Sequence, residues 1–333
     1  MTIRSWYYRA HFRAALGALL VFASALFSSP ALAQAYPSKV IRLIVVYPPG
    51  GTSDAVARPL ADKLIAQLGQ QVIVENKGGA GGAIGMDAMA KSPPDGYTLA
   101  FAAISPVTLL PHVSKVPYDA LKDIAPVASV MYSPVYMLAT SAFTGATFPD
   151  AIAQAKAKPG SVRLATSGIA TLGHLMLEQI KLKAGVDIVH VPYKGGGQVI
   201  TDAAGGQFEL FTSNPSPGVN TLLQQGRMRV LAVAAPQRLP AMPTIPTMTE
   251  LGYPESNLTS QFGVFAPAKT PDAVIRRLNA EINKALGAPD LADRLVKLDN
   301  VPSPGSVEQF VKTVRGEYEA NARIVAKAQI RAD

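Results

Sequence analysis

From residue 36 onward, short β-branched runs alternate with stretches in which apolar residues recur every three or four positions. That alternation is the pattern of a mostly parallel sheet with crossover helices, an α/β protein. Strands are expected at residues 40–47, 71–75, 97–102, 162–166, 188–191, 208–211, 230–234 and 262–265. Helices are expected at 55–68, 148–156, 172–184, 197–204, 271–286 and 306–326. The last two carry the clearest boundaries, because Pro271 suits a first helical turn and Ser306 stands three residues before Gln309, a reciprocal cap. Pro59 falls inside the first helix, where it removes a donor, so a kink or a later start is expected there.

Two regions break the alternation. Residues 124–140 are apolar and extended, and residues 236–258 contain Pro240, Pro243, Pro246 and Pro254. Both read as crossings between two lobes, one made of residues 36–138 and 259–333 and the other of 139–258. A chain of 333 residues fits two such domains.

The N-terminus follows a different logic. Arg4, Arg9 and Arg13 precede an uncharged apolar run from Ala14 to Phe27, which ends in Ala31-Leu32-Ala33. This is the layout of a secretory signal over residues 1–33 with cleavage near Ala33, and the run is shorter than the roughly 20 residues of a membrane span. Export to the periplasm is the expectation. Removing the segment takes the formal charge from +8 to +5, because it carries three Arg and no acid. The remaining excess is spread along the chain, which argues against a nucleic-acid partner. There is no Cys, which excludes a disulfide framework, a thiolate metal site and a cysteine nucleophile.

Candidate chemistry lies in the loops after strands. Pro48-Pro49-Gly50-Gly51-Thr52-Ser53-Asp54 leads into a helix, with glycines that let backbone amides be exposed and three residues of capping type. A helix start there suits a carboxylate or phosphate, although an ordinary capped turn needs the same residues. In the middle of the chain, Ser167, Gly168 and Thr171 precede Leu172 and His174 in a similar strand, loop and helix start; Ser167 and Thr171 could donate hydroxyls to an anion.

Enzyme signatures fail at specific positions. The glycine loop 77–85 lacks the Gly-Lys-Ser/Thr of a P-loop, and Ile84 occupies the third glycine of a dinucleotide fingerprint. A nucleophile elbow needs Gly where Ala165 precedes Ser167, so His174 reads as a capping or packing residue and no catalytic residue is assigned. His112, His174 and His190 are not at metal-ligand spacing, and neither a metal nor a cofactor is expected.

Taken in order, several segments resemble the substrate-binding proteins of tripartite tricarboxylate transporters, the Bug family. They are residues 36–39 (YPSK), the 48–54 loop, Val74-Glu75-Asn76 with its glycine loop, Pro94-Asp95-Gly96-Tyr97, residues 116–119 (VPYD), residues 189–195 (VHVPYKG) and residues 262–268 (FGVFAPA). The resemblance implies a type II periplasmic binding-protein fold, with two α/β lobes joined by crossing strands and a ligand cleft between them. It also implies a small organic carboxylate as ligand, held by amides and hydroxyls, delivery to the membrane subunits of a transporter, and a monomer.

By the same resemblance the ligand-binding residues are Pro49, Gly50, Gly51, Thr52, Ser53, Asp54, Ser105, Ser167, Gly168, Thr171, Leu172, His174 and Asn214. Ile169, Ala170 and Asn214 stand where relatives carry more polar or acidic residues, which implies a more apolar distal pocket and a monocarboxylate or aromatic acid. A periplasmic sensor of the same fold and, further off, a hydrolase using Ser167 and His174 are the alternatives.

Overall fold

The computed structural model describes residues 36–328 and 330; the signal-sequence expectation for residues 1–33 lies outside them. Residues from Lys39 onward form one compact unit, and both sheets of the protein lie within it.

The described elements, in chain order, are β1 (Ile41–Val45), α1 (Thr52–Leu68), β2 (Val72–Asn76), α2 (Ala83–Ala90), β3 (Thr98–Ala103), the short helices α3 (Ser105–Thr108) and α4 (Leu110–Val113), β4 (Ile124–Ser133) and β5 (Val135–Thr140). They continue as α5 (Phe148–Ala157), β6 (Arg163–Thr166), α6 (Leu172–Ala184), β7 (Val189–Pro192), α7 (Gly196–Ala204), β8 (Leu210–Ser213), α8 (Pro217–Gln224) and β9 (Met228–Ala234). The last are β10 (Ser260–Pro267), α9 (Asp272–Leu286), α10 (Pro289–Val296), β11 (Val301–Pro302) and α11 (Val307–Ala328).

Six strands make the first sheet, in the order β11-β4-β10-β3-β1-β2, and five make the second, in the order β7-β6-β8-β5-β9. In each, the strands joined by crossover helices are parallel: β1 with β2 and β3, and β6 with β7 and β8. The strands that carry the chain between sheets run antiparallel to their neighbours, β10 against β3 and β4, and β5 against β8 and β9. A strand arriving from the other sheet enters from the opposite end, so the mostly parallel pattern read from sequence gains an antiparallel part here.

Residues 124–140 are therefore two strands, broken at Pro134. β5 pairs inside the second sheet, so sheet membership changes at Pro134 and not at 138–139. The Pro-rich return folds onto the second sheet, where Asn257 Nδ2 donates to the Ala235 carbonyl at 2.8 Å and Asn257 Oδ1 accepts from the Ala235 N–H at 3.1 Å. From there the chain enters β10.

The cores follow from the strands. β1 reads Ile-Arg-Leu-Ile-Val with only Arg42 exposed, the near-continuous apolar run of a strand covered on both faces. One face of the first sheet gathers Met86, Met89, Phe265, Phe310 and Val314. The second sheet has Phe148, Ile152, Leu177 and Ile180 on one side and Val199, Ala203, Val219 and Leu222 on the other. At roughly 1.5–3 kcal/mol for each large side chain fully buried, these layers fix both sheets as platforms for the loops at their ends.

The Ser306 cap forms as expected, with Gln309 N–H donating to Ser306 Oγ at 3.2 Å and Ser306 N–H to Gln309 Oε1 at 2.8 Å. Pro59 does not delay its helix: α1 runs over 17 residues from Thr52 with Pro59 inside it.

Candidate functional site

The cleft is built where helix starts from the two sheets face each other. α1 follows β1 through residues 46–51, α6 follows β6 through residues 167–171, and α7 follows β7 through residues 193–195. Gly51 with Thr52 and Ser53, Thr171 with Leu172 and Gly173, and Gly196 all line one cleft, whose open space is ≈ 670 Å³ including its mouth. The first amides of a helix have no acceptor within it, and they carry partial positive charge. Three helix N-termini of 17, 13 and 9 residues thus supply donors to the same space.

Among the described residues, no Lys, Arg, Asp or Glu forms part of this wall. Ser105, Ser167, Thr212, Ser213 and Ser260 add hydroxyls, while Ala103, Val135, Leu172, Ile200 and Phe262 supply an apolar side. Burial pushes the Tyr47 phenol up to about 12, against an opposing hydrogen bond with Ser105, so a neutral hydroxyl group faces the cleft at neutral pH. This arrangement matches what a small anion with a hydrocarbon body needs: fixed dipoles at one end and apolar surface along the rest.

Eight of the thirteen residues singled out from the sequence line the cleft: Gly51, Thr52, Ser53, Ser105, Ser167, Thr171, Leu172 and Asn214. Pro49, Gly50, Asp54, Gly168 and His174 lie outside the wall and support it. Asp54 Oδ2 accepts from Gly50 N–H at 3.2 Å, and its Oδ1 accepts from Arg58 at 2.8 Å and Asn76 at 3.0 Å. Burial raises this carboxyl, but the hydrogen bonds from Arg58, Asn76 and Gly50 outweigh it and hold Asp54 below its ordinary value. Asp54 is thus an ionised brace for the glycine turn.

The capping role expected of Thr52, Ser53 and Asp54 does not form. Gly51 is the N-cap of α1 and makes no side-chain cap. Thr52 Oγ1 instead donates across the cleft to the carbonyls of Pro215 at 3.0 Å and Asn214 at 3.4 Å. Thr171 gives its hydroxyl proton to the Gly168 carbonyl at 2.8 Å, so toward a ligand it offers an acceptor and not the donor expected. His174 does serve structure: its Nδ1 accepts from Ala170 N–H at 3.1 Å and its ring stacks on His190.

Ile169 and Ala170 are not part of the cleft wall. Ala170, 1% exposed, lies in the core cluster of the first sheet, and Ile169 packs half-buried against it. The apolar side comes from strand and helix residues that had no local signal, among them Val135, Ile200 and Phe262. Asn214 does reach the wall, but its amide donates to the Pro134 carbonyl at 2.9 Å and to Ser260 Oγ at 3.0 Å.

The loops of the two sheets approach backbone to backbone. A Cβ on Gly197 would overlap the Pro49 carbonyl oxygen, and one on Gly81 would sit 2.7 Å from the Ile169 carbonyl oxygen. Glycine at these places is what lets the cleft be this narrow. Among the described residues, no group of three or more His, Asp or Glu could hold a metal ion. No helix among them is long and apolar enough to cross a membrane.

Residues 56–330 match the family described as tripartite tricarboxylate transporter family receptor. The chain is 36% identical over 308 residues to the protein BugT of Bordetella pertussis, covering 92% of this chain and 94% of that one. The structure is similar to that of the periplasmic binding protein BugD, with a TM-score of 0.84 and 28% identity over 90% of this chain and 100% of the other. It is equally similar to the Rhodopseudomonas palustris protein Rpa4515 determined with adipate, with a TM-score of 0.84 and 30% identity over 89% and 99% of the two chains. The two-sheet α/β architecture is that of these binding proteins, and the chain belongs to the tripartite tricarboxylate transporter receptor family, the periplasmic solute-binding proteins of the Bug type.

Proposed function

We propose that this protein captures a small organic carboxylate in the periplasm and delivers it, as a monomer, to the membrane subunits of a tripartite tricarboxylate transporter. The observation that carries this reading is the convergence of the α1, α6 and α7 N-termini on a cleft without a charged side chain in its wall. A carboxylate satisfies those amides and their dipoles at once. The adipate bound by Rpa4515 supports the ligand class, and the family supports the transporter partner.

The residues that contact the ligand are Gly51, Thr52, Ser53, Ser105, Ser167, Leu172 and Asn214. Val135, Leu172, Ile200 and Phe262 then receive its hydrocarbon part, which favours an acid with an apolar stem or ring over a citrate-like polyanion. The parts of the chain that form the two sheets act as lobes, closing as ligand contacts on both sides favour the closed state. The protein is not an enzyme on this reading: Ser167 has no general base beside it, because the ring of His174 is engaged with Ala170 and His190 outside the cleft wall. Export follows from the charged, apolar and small-residue order of residues 1–33.

A thermal-shift panel of benzoate, adipate, succinate and citrate tests the ligand class. An acid at 100 times its dissociation constant adds about 2.7 kcal/mol to stability and raises the midpoint visibly. Stabilisation by citrate alone, or by none of the acids, overturns the reading.

A further inference from the structure

The segment between β6 and α6 presents Ser167, Thr171 and the first amides of α6 to the cleft, and it is held in an unfavourable form. Ala170 has φ +52, a left-handed conformation that residues with a Cβ rarely adopt. Such backbone persists only where its surroundings over-determine it. Here the surroundings are two histidines. His174, 5% exposed, accepts the Ala170 N–H on Nδ1 at 3.1 Å, which puts its own proton on Nε2, 3.9 Å from Glu178 Oε1. Its ring lies on that of His190 with centroids 4.3 Å apart and planes 5° from parallel.

His190 in turn reaches the other half of the segment. Its Nε2 is 2.7 Å from Thr166 Oγ1. Thr166 Oγ1 accepts the Gly168 N–H at 3.2 Å and its hydroxyl meets the Gly168 carbonyl at 3.1 Å, where Thr171 Oγ1 also donates at 2.8 Å. The stacked rings therefore fasten both ends of the turn, His174 holding Ala170 directly and His190 holding Gly168 through Thr166. Parallel imidazoles at this separation repel when both are charged. The charged groups facing them are Glu178 and Lys181 of α6, which pair with each other at 3.0 Å.

We propose that His174 and His190 form a positioning pair that keeps residues 167–173 in the conformation that receives the ligand, although neither ring touches it. The ligand-receiving clause rests on the carboxylate reading above; the fastening of the segment does not.

Hydrogen-exchange mass spectrometry on the full mature chain without ligand separates the two. In His174→Phe, which keeps the stack but removes the acceptor, residues 167–173 exchange at least tenfold faster than in the wild type, while α9 is unchanged. His174→Asn returns an acceptor to the Nδ1 position and restores slow exchange. Thr166→Val, which deletes the hydroxyl that links His190 to Gly168, gives the same local acceleration and decides the matter should His174→Phe not fold. Wild-type exchange in both variants, or acceleration shared equally by α9, overturns the proposal. The same samples with adipate, benzoate or succinate test the ligand: protection of residues 167–173 by any of the three supports the carboxylate reading. Protection by none removes that reading and leaves the exchange result on the pair standing.

Discussion

The side-chain amide of Asn214 donates to the backbone carbonyl of Pro134 at 2.9 Å. Pro134 is the single residue between β4 and β5, and Ser260, the other acceptor of the same amide, is the first residue of β10. One side chain at the end of β8 thus ties both strands that carry the chain between sheets. Asn214→Asp replaces that donor with a carboxylate facing a carbonyl oxygen. It is expected to lower the free energy of unfolding by about 1 kcal/mol, measured by urea titration, the usual net worth of one such hydrogen bond, since Ser133 Oγ also reaches the Pro134 carbonyl. An unchanged urea midpoint would show that the tie contributes nothing.

Gly197→Ala probes the approach of the two loops. Its Cβ would overlap the Pro49 carbonyl oxygen, a backbone atom that cannot rotate away. The strands beneath are unaffected, so the fold persists while the cleft is held wider. Ligand affinity is expected to fall at least tenfold, with no ligand-dependent decrease in the radius of gyration by small-angle scattering. Normal contraction in this variant would mean that the loops close by another route.

Stability should depend on pH through His190. Burial lowers its pKa to about 3, and His174 whenever it is protonated, together with Lys181, acts in the same direction. The unfolded chain takes up this proton near pH 6.5, so between about pH 6.5 and 3 it holds more protons than the folded protein. The contribution is therefore complete above about pH 6.5 and is lost as pH falls toward 3. Asp54 and Glu209, both held low, add losses that begin as pH falls into the ordinary carboxylate range and continue below it. Urea midpoints taken between pH 7 and 4.5 should fall more steeply for the wild type than for His190→Gln, in which His112, also lowered by burial, still contributes; parallel slopes would remove His190 as a source.

Ser53→Asp tests the anion site at the start of α1. Ser53 sits in the first turn of α1, where an acidic side chain suits the helix dipole. The new carboxylate would occupy the space meant for the ligand's charge. Two like charges about 5 Å apart at an effective dielectric of 20 repel by roughly 3 kcal/mol, so adipate or benzoate binding should weaken by about 100-fold in calorimetry. Undiminished binding would move the carboxylate site away from α1.

Much of the fold is legible in the sequence because its signals are local. Each of the eight expected strands is present within about two residues, and α6 spans the expected 172–184, since apolar periodicity and caps lie within one segment. β4 and β5 show in the sequence only as a crossing, because a continuous apolar run broken by Pro134 has no period to separate strand from connector. The site was half legible. Glycines and hydroxyls after strands pointed to Gly51, Ser53 and Ser167, but Val135, Ile200, Thr212 and Ser260 become neighbours only when two sheets meet. Ile169 and Ala170 belong elsewhere for a related reason: adjacency in the chain to Ser167 does not set which way a side chain turns, and here Ala170 is buried in the core cluster while Ile169 packs half-buried against it.

The uncharged wall of the cleft has an evolutionary corollary. Main-chain amides at three helix starts belong to every residue except proline, so almost no single substitution can delete them. A lineage could then exchange Leu172, Ile200 or Phe262 for other side chains, and with them the shape of ligand accepted, while keeping the amides that the proposed carboxylate would need. Retuning such a receptor for a new nutrient, or for use as a sensor, becomes a problem of reshaping walls around a constant anchor.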